Sequence, residues 1–94
     1  MHIDDFLWLP DIVEKLVIKH SLTQDEVEEA FFNQPRYRLV EKGHRPGENV
    51  YVAMGRTDSG RYLVVFFIHE LANVALVLSA RDMDQKERKL YERK

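Results

Sequence analysis

The sequence contains no cysteine, only four glycines and three prolines, and a single tryptophan. Without cysteine the chain can form neither a disulfide framework nor a thiolate metal site, which fits a reducing compartment. No apolar stretch approaches the roughly 20 residues that span a bilayer. The longest apolar run, residues 62–68, lies in the middle of the chain, where a signal peptide is not expected. These absences predict a cytoplasmic protein without a membrane segment.

The chain has the length and composition of one folded domain. Its 94 residues are 45% hydrophobic and 32% charged, which predicts a single domain over residues 1–94 with a modest core. The charge is divided unevenly, because residues 1–30 carry a net charge of −6 and residues 31–94 a net charge of +4. This split indicates either a charged partner, such as a polyanion or a protein, or two ordinary solvated surfaces.

Two helices are predicted in the first third of the chain. Residues 10–20 have apolar side chains at helical spacing behind Pro10, which suits a first helical position. Residues 23–26 (Thr-Gln-Asp-Glu) form a capping box that opens a second helix, and Pro35 ends it. Four acidic residues lie in the first turns of that helix, where they complement its dipole. The acidic cluster therefore has a structural explanation.

The rest of the chain, after the second helix, is predicted to form a sheet followed by a short helix. Strands are predicted at residues 37–40, 50–56, 62–68 and 74–79, and residues 3–8 could add an edge strand. Asp84 and Glu87 predict a capped C-terminal helix with few apolar residues, which should dock weakly. The expected fold is α+β, with two N-terminal helices, an antiparallel meander of three to four strands, and a C-terminal helix, all helices lying on one face.

No strong catalytic motif is present, and no cofactor is indicated. The four histidines are too scattered for metal-ligand spacing, so no metal site is predicted. The second half of the chain is rich in arginine, lysine and tyrosine, and such residues bind phosphates and stack on unpaired bases. The alternative is that these cations only keep the surface soluble. The candidate substrate-binding residues are Lys19, Arg56, Arg61, Lys86 and Arg88.

Arg81 and His20 are the most informative single positions. Arg81 is expected between the end of the last strand and the start of the final helix. A cation is unfavourable at the N-terminus of a helix, so a specific role for Arg81 is needed to explain it. His20 ends the first helix, where a protonated imidazole is favoured by the dipole, so it is either a functional group or a plain cap.

Several short segments together resemble the BrnT family of toxins, whose fold is like that of RelE ribonucleases. The resemblance covers nearly the whole chain and depends on the shared order and spacing of its pieces. They are residues 6–10 (Phe-Leu-Trp-Leu-Pro), 19–20 (Lys-His), 47–48 (Gly-Glu), 55–56 and 60–61 (both Gly-Arg), 78–81 (Leu-Ser-Ala-Arg), 87–88 (Glu-Arg) and Tyr91. Val50 and Leu76 depart from it, since many members carry arginine at those strand positions.

The resemblance implies a ribonuclease toxin that restrains translation and is neutralised by a cognate antitoxin protein. RNA would be the substrate, and whether the chain forms a homodimer stays open. Metal-free RNA cleavage needs a base, a cation at the phosphate and an acid. The candidate catalytic residues are Arg81 for the phosphate, His20 or Glu48 as base or acid, and Tyr91 to stack or donate a proton. The alternative is a non-enzymatic module of the same fold that binds a partner protein or nucleic acid.

Overall fold

The computed structural model describes residues 1–93 and confirms the α+β class. Within those residues the helices are α1 (Pro10–His20), α2 (Gln24–Phe32) and α3 (Gln85–Glu92). The strands are β1 (Asp5–Leu7), β2 (Arg36–Glu41), β3 (Val50–Arg56), β4 (Tyr62–Glu70) and β5 (Val74–Asp82). A 3₁₀ turn at Leu71–Asn73 joins β4 to β5.

The sheet is mixed rather than antiparallel throughout. Its strand order is β1-β5-β4-β3-β2, in which β2 to β5 are antiparallel neighbours and β1 runs parallel to β5. The predicted antiparallel arrangement is found in β2 to β5, but the predicted number of three to four strands is wrong, because within residues 1–93 the sheet has a fifth strand, β1, parallel to β5. The three residues of β1 are held by pairing with the distant β5, with Asp5 opposite Val74 and Leu7 opposite Leu76. Local sequence patterns carry no information about such a pairing.

The two N-terminal helices begin and end where their local signals predict. Helix α1 starts at Pro10 and ends before Ser21, which adopts a left-handed conformation with φ of 52°. The Thr23 hydroxyl accepts a bond from the Glu26 backbone N–H at 3.2 Å, and the Glu26 carboxylate accepts one from the Thr23 N–H at 3.0 Å. This is the reciprocal capping box expected at the start of α2.

Helices α1 and α2 cover one face of the sheet and form the main core with it. Leu16, Leu22 and Phe31 are buried in this core together with Phe67 of β4. The rings of Phe31 and Phe67 meet edge to face, with their centroids 5.1 Å apart. Helix α2 also packs close to β3, where Gly55 lies directly beneath the backbone of α2.

Helix α3 lies on the opposite face of the sheet, called here the α3 face. Tyr91 of α3 and Met83 before it pack against Val52, Met54 and Val64 of the sheet. The prediction that all helices share one face is therefore wrong, because the chain leaves the end of β5 toward the other side. No described residue of α3 is buried, which agrees with the expected weak docking.

Strand β5 is longer than predicted and includes Arg81. It continues past Ser79 to Asp82, because Arg81 still pairs with Val64 and Asp82 with Leu63 of β4. The prediction that Arg81 lies at the junction beyond the strand is thus wrong. Arg81 instead occupies a sheet position whose side chain shares the α3 face with that of Val64.

Candidate nucleic-acid interface

Arginine side chains flank the patch of sheet that α3 covers. Arg36, Met54, Val64 and Arg81 lie side by side on four adjacent strands, so they form one row across the α3 face. The two apolar members pack toward α3, and the two arginines mark the ends of the row. The fold thus brings two cations from distant parts of the sequence to one helix.

Arg81 is fixed by an ion pair with Glu87 of α3. Its two terminal nitrogens donate to the two carboxylate oxygens of Glu87 at 2.7 and 2.8 Å. The paired hydrogen bonds lower the pKa of Glu87 and raise that of Arg81, although partial burial opposes both shifts. The guanidinium carbon also lies 5.9 Å from the centroid of the Phe66 ring. The pair holds a cation and a carboxylate together on a half-exposed surface.

Beside this pair lies an arginine–tyrosine cluster formed by Arg36, Arg56, Tyr62, Arg88 and Tyr91. The guanidinium carbons of Arg88 and Arg56 lie 4.1 and 4.8 Å from the Tyr62 ring centroid, and that of Arg36 lies 5.8 Å from the Tyr91 centroid. The two tyrosine rings meet edge to face at 5.9 Å. Cation–π contact orients the guanidinium planes while leaving their edge N–H groups for other acceptors.

Tyr91 anchors α3 to the segment that connects α2 and β2. Its hydroxyl donates to the backbone carbonyls of Asn33 at 3.3 Å and Gln34 at 3.1 Å. Burial raises the pKa of Tyr91, so the phenol is protonated at neutral pH. Two open cavities of about 620 and 440 Å³ adjoin this anchor, and Gln34, Arg56 and Tyr91 line both of them.

The predicted residues His20, Lys19 and Arg61 lie on the other side of the sheet. Arg61 donates to the carbonyls of His20 at 2.7 Å and Ser21 at 2.8 Å and binds Asp82 through two nitrogens at 2.6 and 2.9 Å. The hydrogen bond to Asp82 raises the pKa of Arg61 and lowers that of Asp82. Arg61 therefore ties the end of α1 to the sheet, and His20 and Lys19 are placed with it rather than with Arg81.

Glu48 lies away from the arginine–tyrosine cluster, and Lys86 is not among the contacts that form it. Glu48 lies in the loop before β3, where its carboxylate accepts a bond from the Arg45 backbone N–H at 3.1 Å. That loop joins the start of β3, whereas the cluster lies at its end, roughly 20 Å away at about 3.3 Å per residue. Lys86 is exposed on the first turn of α3. Of the predicted residues, the structure groups Arg56, Arg81, Arg88 and Tyr91.

Four residues of this surface were not among the predicted site residues. Glu87 was predicted as a capping residue and as part of the family resemblance, and the structure shows that it is also the partner of Arg81. The guanidinium groups of two arginines lie over the Tyr62 ring, and Arg36 contributes a third cation to the cluster. Arg38 shares the α3 face with Arg36, because alternate residues of a strand point the same way. That alternation is the one sequence signal that could have assigned both arginines to a common surface.

We expect the two ion pairs that end β5 to make stability depend on acid pH. The pKa values of Asp82 and Glu87 are lowered in the folded protein, so their pairs stabilise it fully at neutral pH. That stabilisation is lost as the pH falls below about 4.5 and the carboxyls become protonated. Urea unfolding between about pH 7 and 3 should show a falling free energy of unfolding.

The matched variants identify which groups cause the acid dependence. Asp82→Asn and Glu87→Gln should each flatten the pH profile and lower stability at neutral pH. Glu41→Gln, which changes an exposed carboxyl at the end of β2, should leave the profile unchanged. A profile that Asp82→Asn and Glu87→Gln do not alter would show that other carboxyls control acid unfolding.

Within residues 1–93, no helix is both long and apolar enough to cross a bilayer. Over the same residues no three His, Asp or Glu side chains lie close enough together to hold a metal ion.

Fold and site together define a small α+β protein with one cationic, tyrosine-lined surface beside its last helix. The family described as the ribonuclease toxin BrnT of type II toxin–antitoxin systems matches residues 8–87. The chain therefore belongs to the BrnT toxin family. Comparison with curated proteins finds no match. The matched segment includes β5, Arg81 and Glu87, so the ion pair of the α3 face lies within the family region.

Proposed function

We propose that this chain is the toxin of a type II toxin–antitoxin pair and cleaves single-stranded RNA, without a metal ion, at the α3 face. The observation that carries the proposal is the arginine–tyrosine cluster next to the Arg81–Glu87 pair. Guanidinium groups bind phosphates and tyrosine rings stack on unpaired bases. Family membership supports both the ribonuclease reaction and a cognate antitoxin as partner.

The positions of the side chains suggest a division of roles. Arg81 binds the scissile phosphate and stabilises the charge that develops on it. Glu87 removes the proton of the 2′-hydroxyl, whose oxygen attacks phosphorus and gives a cyclic phosphate. The departing 5′ oxygen takes its proton from water. The Tyr91 hydroxyl is held by the carbonyls of Asn33 and Gln34, so its role is to support base stacking in the cluster.

A binding role without catalysis is the second candidate, and two observations favour it. Both terminal nitrogens of Arg81 already bind Glu87, so RNA must compete with an internal carboxylate. Val50, Ile68 and Leu76 form an apolar row across β3, β4 and β5, at positions where the family resemblance places arginine on two of the three strands. A protein of this kind would bind nucleic acid or a partner while leaving RNA intact.

Two measurements separate these candidates. Induced expression should arrest bacterial growth, and the purified protein should cleave single-stranded RNA in the presence of EDTA. Binding of intact RNA without cleavage or arrest would select the non-enzymatic role. If the protein neither binds nor cleaves RNA, the ribonuclease role is refuted, and so is nucleic-acid binding without catalysis.

The cluster itself is tested by charge-matched double variants. Arg56→Ala/Arg88→Ala should weaken RNA binding and lower the slope of log K against log salt by about 1.4, because each phosphate contact contributes about 0.7 on a single strand. Lys42→Ala/Arg45→Ala removes the same charge from the loop between β2 and β3, at the other end of the sheet. Equal effects of the two double variants would mean that net charge, and not the cluster, governs binding.

A further inference from the structure

A groove with an apolar floor lies along the side of α3 that faces away from the arginine–tyrosine cluster. Its volume is about 330 Å³, near the lower end of the range for small-ligand sites. Val52 and Phe66 of the sheet form the floor, Leu90 and Glu87 of α3 form one wall, and Arg38 and Val40 of β2 form the other. This set of six residues is called here the α3 groove.

The α3 groove exposes apolar side chains that the fold leaves without a covering layer. Leu90 is 45% exposed and Val40 is 53% exposed, although both line the same concave surface. Phe66 is only partly buried and packs at the margin of the small core cluster under α3. An aromatic ring at the floor of a narrow groove suits a flat, apolar-faced ligand.

Charged groups at the ends of the α3 groove restrict what that ligand can be. Arg38 is exposed and, among residues 1–93, makes no ion pair. Arg81 lies above the Phe66 ring at the other end, beside Glu87. Arg36 lies next to Arg38 on the same face of β2 and belongs to the arginine–tyrosine cluster. A flat group attached to an anionic chain is complementary to this arrangement.

We propose that the α3 groove binds one unpaired nucleobase of the RNA that occupies the arginine–tyrosine cluster, an inference that rests on the proposed function. The base stacks against Phe66, and its polar edge meets Arg38 and Glu87. Arg38 and Arg36 contact the phosphates that lead from this base toward Arg56 and Arg88. The α3 groove thereby selects which nucleotide lies next to the scissile bond.

The test uses 2′-O-methyl RNA hexamers, one for each of the four bases, because the blocked 2′ oxygen prevents cleavage. Methyl NMR spectra should show saturable shifts at Val40, Val52 and Leu90, and one hexamer should bind more tightly than the others. Phe66→Leu removes the ring on which the base stacks, so it should weaken the binding of that hexamer by about tenfold. Arg38→Ala, at an exposed position, should also weaken the binding of that hexamer, and Arg45→Ala should not.

The outcomes separate this inference from the proposed function. The absence of methyl shifts at Val40, Val52 and Leu90, or methyl shifts that Phe66→Leu and Arg38→Ala leave unchanged, would overturn the base-binding groove even if RNA is cleaved. Shifts in the groove with an antitoxin fragment but not with RNA overturn it as well. Saturable shifts with a hexamer support the groove even if unmodified RNA is not cleaved, a result that refutes only the nuclease. Thermal melting of each variant verifies that it is folded.

Discussion

Arg81→Ala is expected to abolish growth arrest and to slow RNA cleavage by about 10²- to 10³-fold. That is the usual effect of removing one preorganised group that stabilises charge in a transition state. Arg81 is held ready for this role by the strand on which it lies and by the two bonds to Glu87. Single-turnover cleavage of a defined RNA measures the chemical step, and induced expression measures the arrest.

A merely structural role for Arg81 makes a different prediction. If Arg81 only attached α3 to the sheet, Arg81→Ala would lower the melting temperature and the affinity for 2′-O-methyl RNA together with the cleavage rate. The catalytic role predicts that the rate falls far more than the affinity, while the melting temperature falls no further than in Glu87→Gln, which breaks the same ion pair. Arg81→Lys keeps the charge but not the planar fork, so it should recover only part of the rate. Cleavage at the normal rate by Arg81→Ala would remove Arg81 from the mechanism.

Gly55→Ala is expected to destabilise the protein by about 3 kcal/mol, the upper end for overpacking a core. A Cβ at this position would overlap the carbonyl oxygen of Ala30 and lie 2.9 Å from its carbonyl carbon. The obstacle is the backbone of α2, which cannot rotate away as a side chain can. Helix α2 would have to move off β3, which would disturb the main core around Phe31.

Thermal unfolding measures this effect directly. A loss of about 3 kcal/mol corresponds to a decrease of about 12 °C or more in the melting temperature of a domain of this size. Ala72→Gly is a useful contrast, because Ala72 is exposed and has a φ of 64°, which glycine adopts without strain. It should leave the melting temperature unchanged or raise it slightly. A small effect of Gly55→Ala would show that α2 tolerates a shift on the sheet.

Local signals predicted the parts of the fold that depend on neighbouring residues. The Thr23 capping box and Pro10 define where α2 and α1 begin, because hydrogen bonds within one turn decide those positions. The parallel pairing of β1 with β5 depends on residues at opposite ends of the chain, and no pattern within either segment encodes it. The face on which α3 lies was unpredictable for the same reason.

The site was harder to predict because of an irregularity in β5. Phe66 pairs with Ser79 and Phe67 with Val77, so one residue of β5, Leu78, has no partner. Side chains alternate between faces in a regular strand, and an extra residue reverses the alternation. Counting by two from the buried Val77 would place Arg81 in the core, whereas the bulge places it on the α3 face.

The uneven charge along the chain has an internal explanation in the structure. Three acidic residues of α2 bind partners within the protein: Glu26 binds Arg61, Glu28 accepts from the Trp8 indole at 2.8 Å, and Glu29 accepts from the Asp58 N–H at 3.0 Å. Much of the acidic cluster therefore serves the fold. Of the cations at the α3 face, Arg36, Arg38 and Arg56 make no ion pair among residues 1–93, which is why the cations and not the acids mark the candidate site.

The pairing of β1 with β5 also determines when during translation the protein can become active. A chain leaves the ribosome from its N-terminus, so β1 emerges long before the strand that receives it. Arg81 and Glu87, which complete the proposed site, emerge later still. A nascent or prematurely terminated chain therefore lacks both a closed sheet and a working site.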